Sequence, residues 1–433
     1  MDQDLLATAY RPFPMRAMNA IGRGLARFGA KPFSLGEEPL LRAASKATGL
    51  SDFGSESFLP GFRMLIDSLE ADSRLNLFGR FFAQRQIVEL LSHRLGLVDH
   101  RKHNPDVAEQ MIQRPLFILG LPRTGTTLLY GLIAEDPAIR APLSWEIDAP
   151  CPPADTASYE TNPRIERCQR RFDLVGRLAP RFQAIHPVGA LMPQECIVLT
   201  ASEFMSLRFE MSFRLDRYQD WLLEQDMKAS YVYHRAFLQH LQSRHMNERW
   251  ILKSPGHLGP IDKLFETYPD AMVVQTHRDP LRVIPSVANL EFTMRQVSSD
   301  DVDPEELGRR QLRCWTLQLD RGIAARARHP ERESQIIDLS MQEIVGDPIA
   351  CVGRIYAHFD LEFTDEARAR MQRYLEIHPQ GEFGTHRYSL EAFGLDETTV
   401  NEGFKGYRER FAIASEPFPD ASASGSPRPS PGR

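Results

Sequence analysis

The chain has 433 residues, 42% of them hydrophobic and 25% charged, so it can bury a sizeable core and exceeds one average domain. A formal net charge of −6 and a pI near 6.1 exclude a whole-chain attraction to nucleic acid or to an anionic membrane, so any anionic ligand has to be held by a local site. Cys151, Cys168, Cys196, Cys314 and Cys351 are scattered without a C-x-x-C pair, which argues against a zinc cage and fits a reducing cytoplasm.

The opening MDQDLLATAYRPF has no basic segment followed by an apolar run, so no secretory leader is expected. Nothing approaches the roughly 18 consecutive apolar residues of a membrane span. Residues 1 to about 110 read as helices joined by Gly/Pro breaks. From Phe62 to Leu97 the apolar residues fall three and four apart, the pattern of a helical cap laid on a core. After Pro115 the run LFILG is too short for a helix and reads as a buried strand, followed by a Gly/Pro turn and the helical TLLYGLIAED.

A helical insertion rich in aromatics and Met spans about 160–247; it is either an acceptor-binding segment or a set of ordinary core helices. Beyond it, WILK (250–253), AMVVQT (271–276) and SQIIDLS (334–340) read as further strands alternating with helices, hence βαβ units and a parallel sheet. The expected organisation is a helical cap over 1–110, an α/β domain over 111–412 carrying the insertion, and a Pro/Ser/Gly-rich disordered tail over 413–433. No internal repeat is present.

The strongest local signal lies between the first strand and its helix, at Gly120-Leu121-Pro122-Arg123-Thr124-Gly125-Thr126-Thr127. A loop entering a helix N-terminus presents unpaired N–H groups and the positive end of the helix dipole, which favour a phosphate-like anion; the two threonines add hydroxyls. The spacing G-x-x-x-x-G-T-T nearly reproduces the nucleotidase loop G-x-x-x-x-G-K-[ST], but Thr126 stands where the lysine would be and the cation, Arg123, lies inside the loop. A second strand ends in His277-Arg278, where a nucleotidase would carry a metal-binding acid. Asp279 ahead of Pro280 reads as a helix N-cap with Pro at the first helical position. Two anion sites and no obligatory metal suit a donor with a 5′-phosphosulfate and a separate 3′-phosphate.

In these residues the chain resembles the sulfotransferase superfamily that uses 3′-phosphoadenosine 5′-phosphosulfate (PAPS), specifically its bacterial branch with a P-R-S-G-T-T loop. The resemblance implies a three-layer fold like that of P-loop NTPases, with a central parallel sheet. It also implies that Arg123, Thr124, Gly125, Thr126 and Thr127 hold the 5′-phosphosulfate, and that Arg278 and Ser286, eight residues on, hold the 3′-phosphate. WILKSPGHL resembles the family strand whose final lysine, here Lys253, approaches the bridging oxygen of the donor. The likeness covers residues 115–290 with specific motifs and continues loosely to about 411.

Small-molecule members place a general-base His two residues after that lysine, where this chain has Pro255. Tyrosylprotein sulfotransferases use a Glu shortly after the loop helix, which Glu146 in PLSWEIDAP resembles; His257 is the other candidate base. His186 and Glu195, in IHPVGALMPQEC, resemble acceptor-lining residues. Lys405 in GFKGYRERF, and more weakly Arg387, resemble a C-terminal basic loop that grips the 3′-phosphate. The resemblance implies PAPS as co-substrate with no metal, a hydroxyl-bearing small-molecule or lipid acceptor and no nucleic-acid partner. A P-loop kinase or nucleotidase, and a non-catalytic nucleotide-binding module, are the rival readings.

Overall fold

Five short strands form one parallel sheet in the computed structural model, which describes residues 10–178, 188–378 and 389–416. They are β1 (Leu116–Gly120), β2 (Ile139–Arg140), β3 (Arg249–Lys253), β4 (Met272–His277) and β5 (Ile336–Ser340), in the order β2-β3-β1-β4-β5. Every residue of β1 and β4 is buried, as expected of strands covered on both faces, and β1 is central with β3 and β4 on its flanks.

Helices α1 (Phe13–Ala26), α2 (Glu37–Thr48), α3 (Leu59–Ala71) and α4 (Leu77–His103) precede the sheet. After β1 comes α5 (Thr126–Ile133). Between β2 and β3 lie α6 (Ser144–Asp148), α7 (Pro163–Leu178), α8 (Cys196–Leu199), α9 (Asp216–Glu224) and α10 (Lys228–Gln242). β3 leads into α11 (Ile261–Thr267), and β4 into α12 (Pro280–Ser298) and α13 (Pro304–Arg328). After β5 follow α14 (Met341–Gly346), α15 (Pro348–His358), α16 (Asp365–Ile377), α17 (Glu397–Gly403) and α18 (Lys405–Phe411). No helix among the described residues is long and apolar enough to cross a membrane.

Alternation along the strands creates two cores. Leu116, Ile118 and Ile251 face one way and pack with Leu129, Tyr130 and Ile133 of α5 and Val352 and Ile355 of α15. Phe117, Leu119, Trp250 and Leu252 face the other way and pack with Phe237 of α10, Leu264 of α11 and Trp315 of α13. The result is the expected three-layer α/β architecture with a parallel centre.

A third core joins the N-terminal helices to the insertion, with Leu40, Phe62, Leu65, Ile87 and Leu91 packed against Phe204, Phe209, Phe213 and Tyr218. A buried ion pair crosses the same seam: Arg94 Nη1 lies 2.5 Å from Glu203, and its other guanidinium nitrogens donate to the Phe53 and Ser55 carbonyls at 2.7 Å each. The first residues of the expected tail also have defined contacts: Ser415 and Glu416 bond back to α18 and to the start of α12, which moves the ordered boundary to at least 416. The rest of that tail lies outside the described residues.

Candidate active site

The β1–α5 loop is shaped by backbone geometry. A Cβ on Gly120 would stand 2.3 Å from Thr276 Oγ1 and 2.6 Å from its carbonyl oxygen on neighbouring β4, so only glycine fits. Gly125 caps α5 in the left-handed region at φ 86°, and Arg123 is a non-glycine residue with φ 67°. Such a conformation persists only where the surroundings enforce it. Thr124 supplies part of that enforcement. Its hydroxyl donates to the Leu121 carbonyl at 2.6 Å and shares a hydrogen bond of the same length with Thr276 Oγ1. The Thr124 side chain is therefore fully buried scaffolding, leaving only its backbone to face a ligand. The Arg123 and Thr127 side chains are exposed at the mouth of the loop.

Because β4 lies beside β1, the two expected anion sites meet. Arg278 follows β4, and its Nη1 donates to the Arg123 carbonyl at 3.0 Å, tying the clamps together. Asp279 caps α12 as the sequence pattern predicts, accepting from Leu281 N–H at 3.1 Å with Pro280 at the first helical position. Ser286 is buried farther along α12. The turn is braced from the C-terminal helix: the Tyr407 hydroxyl accepts from Arg278 N–H at 3.2 Å and bonds His277 Nδ1 at 3.2 Å, and Arg408 Nη1 lies 2.5 Å from Asp279 Oδ1. Asp338 bonds His277 Nε2 at 2.7 Å and pairs with Arg326, contacts that hold its carboxyl well below the usual range despite burial.

Lys253 ends β3 on the face that carries Ile251 and α5. Its ammonium donates to Thr127 Oγ1 at 3.1 Å, pairs with Glu195 Oε1 at 2.9 Å and lies 5.5 Å from the centre of the Tyr130 ring. Glu195 reaches it because its segment is stitched to the chain after β2. Ser144 N–H donates to Met192 O at 3.0 Å, Gln194 N–H to Pro142 O at 2.8 Å, and the Tyr130 hydroxyl to Gln194 O at 2.8 Å. Loop, lysine and carboxylate thus form one cluster at the C-terminal ends of adjacent strands.

The two expected bases lie elsewhere. Glu146 is 2% exposed, and both of its oxygens are occupied: Oε1 pairs with Arg140, while Oε2 accepts from Leu143 N–H at 3.2 Å and the Tyr159 hydroxyl at 2.8 Å. It caps its own helix and pairs with a buried arginine, which ties up both oxygens away from Lys253. His257 packs on the opposite face of the sheet, its ring 5.1 Å from Phe117 and edge-on, with Nδ1 2.8 Å from the Tyr231 hydroxyl. Burial pushes its pKa well below the ordinary histidine value. It lines a cavity of about 330 Å³ together with Cys196, Ser254 and Tyr231, a lining that does not include Arg123, Lys253 or Glu195.

Lys405 is exposed, with its ammonium 4.0 Å from Glu409; the residues of its segment that reach the clamp are Tyr407 and Arg408. His186 and Arg387 lie outside the described residues. Sequence reasoning missed Glu416, whose two carboxylate oxygens accept from Arg278 Nε at 3.2 and 3.1 Å. Nothing in the tail's composition distinguishes it.

The family model described as the sulfotransferase family matches residues 115–365, more than half of the chain. The chain belongs to the sulfotransferase family. Two solved family members superimpose over most of its length. Sulfotransferase STF9 from Mycobacterium avium is 30% identical with a TM-score of 0.80, covering 89% of this chain and 99% of its own; STF1 from Mycobacterium tuberculosis is 31% identical with a TM-score of 0.78, covering 87% and 100%. Among curated sulfotransferases, the omega-hydroxy-beta-dihydromenaquinone-9 sulfotransferase Stf3 of Mycobacterium tuberculosis is 27% identical over 324 residues, 68% of this chain and 75% of the relative. The family assignment removes the kinase and nucleotidase reading that the loop spacing alone leaves open.

Proposed function

We propose that this sulfotransferase moves a sulfuryl group from PAPS to the hydroxyl of an apolar small-molecule or lipid acceptor. The observation that carries the reading is the joined double clamp, in which the Arg278 guanidinium bonds the backbone of the Arg123 loop. A ligand with two anionic groups on one adenosine suits two cationic sites so close together. The chemistry of the donor set supports the fit. Gly125 starts α5 in the left-handed region, so the first amides of that helix are presented beside Arg123, and a carboxylate already rests on the second arginine. The relative whose name specifies an omega-hydroxylated menaquinone derivative supports a hydroxylated lipid as the acceptor class.

PAPS supplies a sulfuryl group on a good leaving group, the 5′-phosphate. Arg123 and the first amides of α5 grip that end; Arg278, with Ser286 behind it, grips the 3′-phosphate. Transfer requires one S–O bond to form at the acceptor oxygen while the S–O bond to the phosphate breaks, with negative charge moving onto the departing oxygen. Lys253, fixed by Thr127 and Glu195, places its ammonium to stabilise that charge. Glu195 is the carboxylate that takes the acceptor proton, in place of Glu146 and His257. Its hold on Lys253 keeps base and cation in register.

Calorimetry with 3′,5′-adenosine bisphosphate in the absence of metal, compared with ATP-Mg, tests the donor: tight metal-free binding of the bisphosphate is expected, and a preference for ATP-Mg refutes the reading. A labelled-donor assay against phenols, sterols and long-chain alcohols tests the transfer, with Arg123→Ala as control. Binding without turnover across that panel would leave a nucleotide-binding module as the better account.

A further inference from the structure

Residues 10–35, YRPFPMRAMNAIGRGLARFGAKPFSL, contain five cations and no carboxylate, inside a chain whose net charge is −6. They include α1, whose inner side is narrow. Met15 and Asn19 are its buried residues, Asn19 Oδ1 accepts from Phe78 N–H of α4 at 2.9 Å, and a Cβ on Gly22 would stand 2.5 Å from Leu77 Cβ. The outer side is apolar as well. Phe13, Ala17 and Ile21 recur four apart on it, and Phe28 follows in the turn after the helix. Phe13 is 73% exposed, Ile21 61% and Phe28 89%.

Isolated exposed hydrophobic residues need no explanation, but these are clustered. Among the large hydrophobic side chains exposed in the described residues, the aromatic ones, Tyr10, Phe13 and Phe28, all fall in this stretch. Cations flank them. Arg11 and Arg23 reach Asp300 and Lys31 pairs with Glu70 at 3.0 Å, while Arg16 and Arg27 are exposed and stand outside these pairs.

We propose that α1 and the turn after it form a membrane-surface anchor: they lay Phe13, Ile21 and Phe28 into the headgroup–acyl boundary of an anionic bilayer, with Arg16 and Arg27 over the lipid phosphates. A single convex helix carrying aromatics beside arginines matches the interfacial amphipathic type, and its local positive charge complements anionic headgroups even though the whole chain is acidic. Arginine can also snorkel, keeping its head at the phosphate level while its stem lies on the apolar stripe. The inference does not depend on the donor or acceptor reading.

Flotation of the full chain with vesicles of equimolar phosphatidylglycerol and phosphatidylcholine, compared with phosphatidylcholine alone, provides the test. The wild type is expected to float with the anionic vesicles and to be released at high salt. The double variant Phe13→Ser/Phe28→Ser and the charge variant Arg16→Glu/Arg27→Glu should each bind at least about tenfold more weakly. Both should keep the wild-type Tm, because all four side chains are exposed in the fold. A wild type that does not float, or variants that float equally well, overturns the proposal. It is also overturned if the wild type is a dimer that Phe13→Ser/Phe28→Ser turns into a monomer, since the stripe then belongs to a second copy of the chain.

Discussion

The proposed donor end and the proposed acceptor end of the site are built by different means. Around Arg123 the site is shaped mainly by backbone: a glycine pressed against β4, a left-handed turn, the first amides of a helix and a loop carbonyl that accepts from Arg278. Around Lys253 the contacts are made by side chains from three separated parts of the chain, Thr127 after β1, Glu195 in the insertion and Lys253 at the end of β3. Backbone-built sites tolerate side-chain changes around them, whereas a convergent cluster fails when any one member is lost. Substitutions should therefore separate the two ends cleanly.

The largest effect is expected at the acceptor end. Glu195→Gln should lower kcat by about 10²–10⁴-fold, the usual contribution of a positioned general base, with little change in bisphosphate affinity by calorimetry. Lys253→Ala should cost about 10²–10³-fold in kcat, comparable to the loss of an electrostatic stabiliser of the leaving oxygen. Glu146 provides the contrast. Removing it strands Arg140, 5% exposed, so Glu146→Ala should lose about 3–5 kcal/mol of stability, seen as a lower Tm, while the folded fraction keeps its kcat. His257→Asn should leave the acid limb of the kcat–pH profile in place, since that imidazole packs against Phe117 and bonds the Tyr231 hydroxyl, away from the cluster around Lys253. An acid limb that vanished in this variant would return the base to His257.

At the donor end the signature is affinity. Arg278→Ala should weaken 3′,5′-adenosine bisphosphate binding by about 30-fold, the cost of losing a charge-assisted contact of about 2 kcal/mol. Adenosine 5′-phosphosulfate, which lacks the 3′-phosphate, should bind the variant and the wild type alike. Equal losses for both ligands would mean that Arg278 acts only through its bond to the Arg123 carbonyl.

The same contrast explains what could be read from the amino-acid sequence. Four of the five strands, the covering helices and the Asp279 N-cap were legible, because short apolar runs, a Gly-rich turn and an Asp-Pro pair act within a few residues of themselves; the two-residue β2 carries no such run. The positions of Arg123 in the β1–α5 loop and of Arg278 at the end of β4 were legible for the same reason: each lies within three residues of a buried strand. Glu195 was recognisable only as a pocket candidate, since its pairing with Lys253 depends on backbone bonds from Ser144 and Gln194 that no local pattern announces. Glu146 misled through proximity in sequence. Three residues after Leu143 it turns back to cap that residue's N–H, which takes it out of the cleft. Lys405 misled by charge, where direction along the helix decides: Tyr407 and Arg408 face the clamp and Lys405 faces water.

Glu416 yields the smallest effect and the most specific one. Its carboxylate sits on Arg278 Nε, and its own N–H donates to Asp279 Oδ2 at 2.8 Å, while Ser415 is held by Arg408 at 2.7 Å. A carboxylate on the guanidinium assigned to the 3′-phosphate has to leave, or share it, when that phosphate binds. The free protein is then stabilised relative to the complex by whatever this ion pair contributes. With both side chains partly exposed, at 19% and 18%, that contribution is modest. Glu416→Gln keeps the size and most of the hydrogen bonding but removes the charge, so bisphosphate affinity should rise by about fivefold, the low end of ordinary coupling energies. Affinity for adenosine 5′-phosphosulfate should not change. An equal gain for both ligands would place the tail over the whole donor cleft; no gain for either would mean that Arg278 can serve the carboxylate and the phosphate together, through Nε and Nη1 in turn.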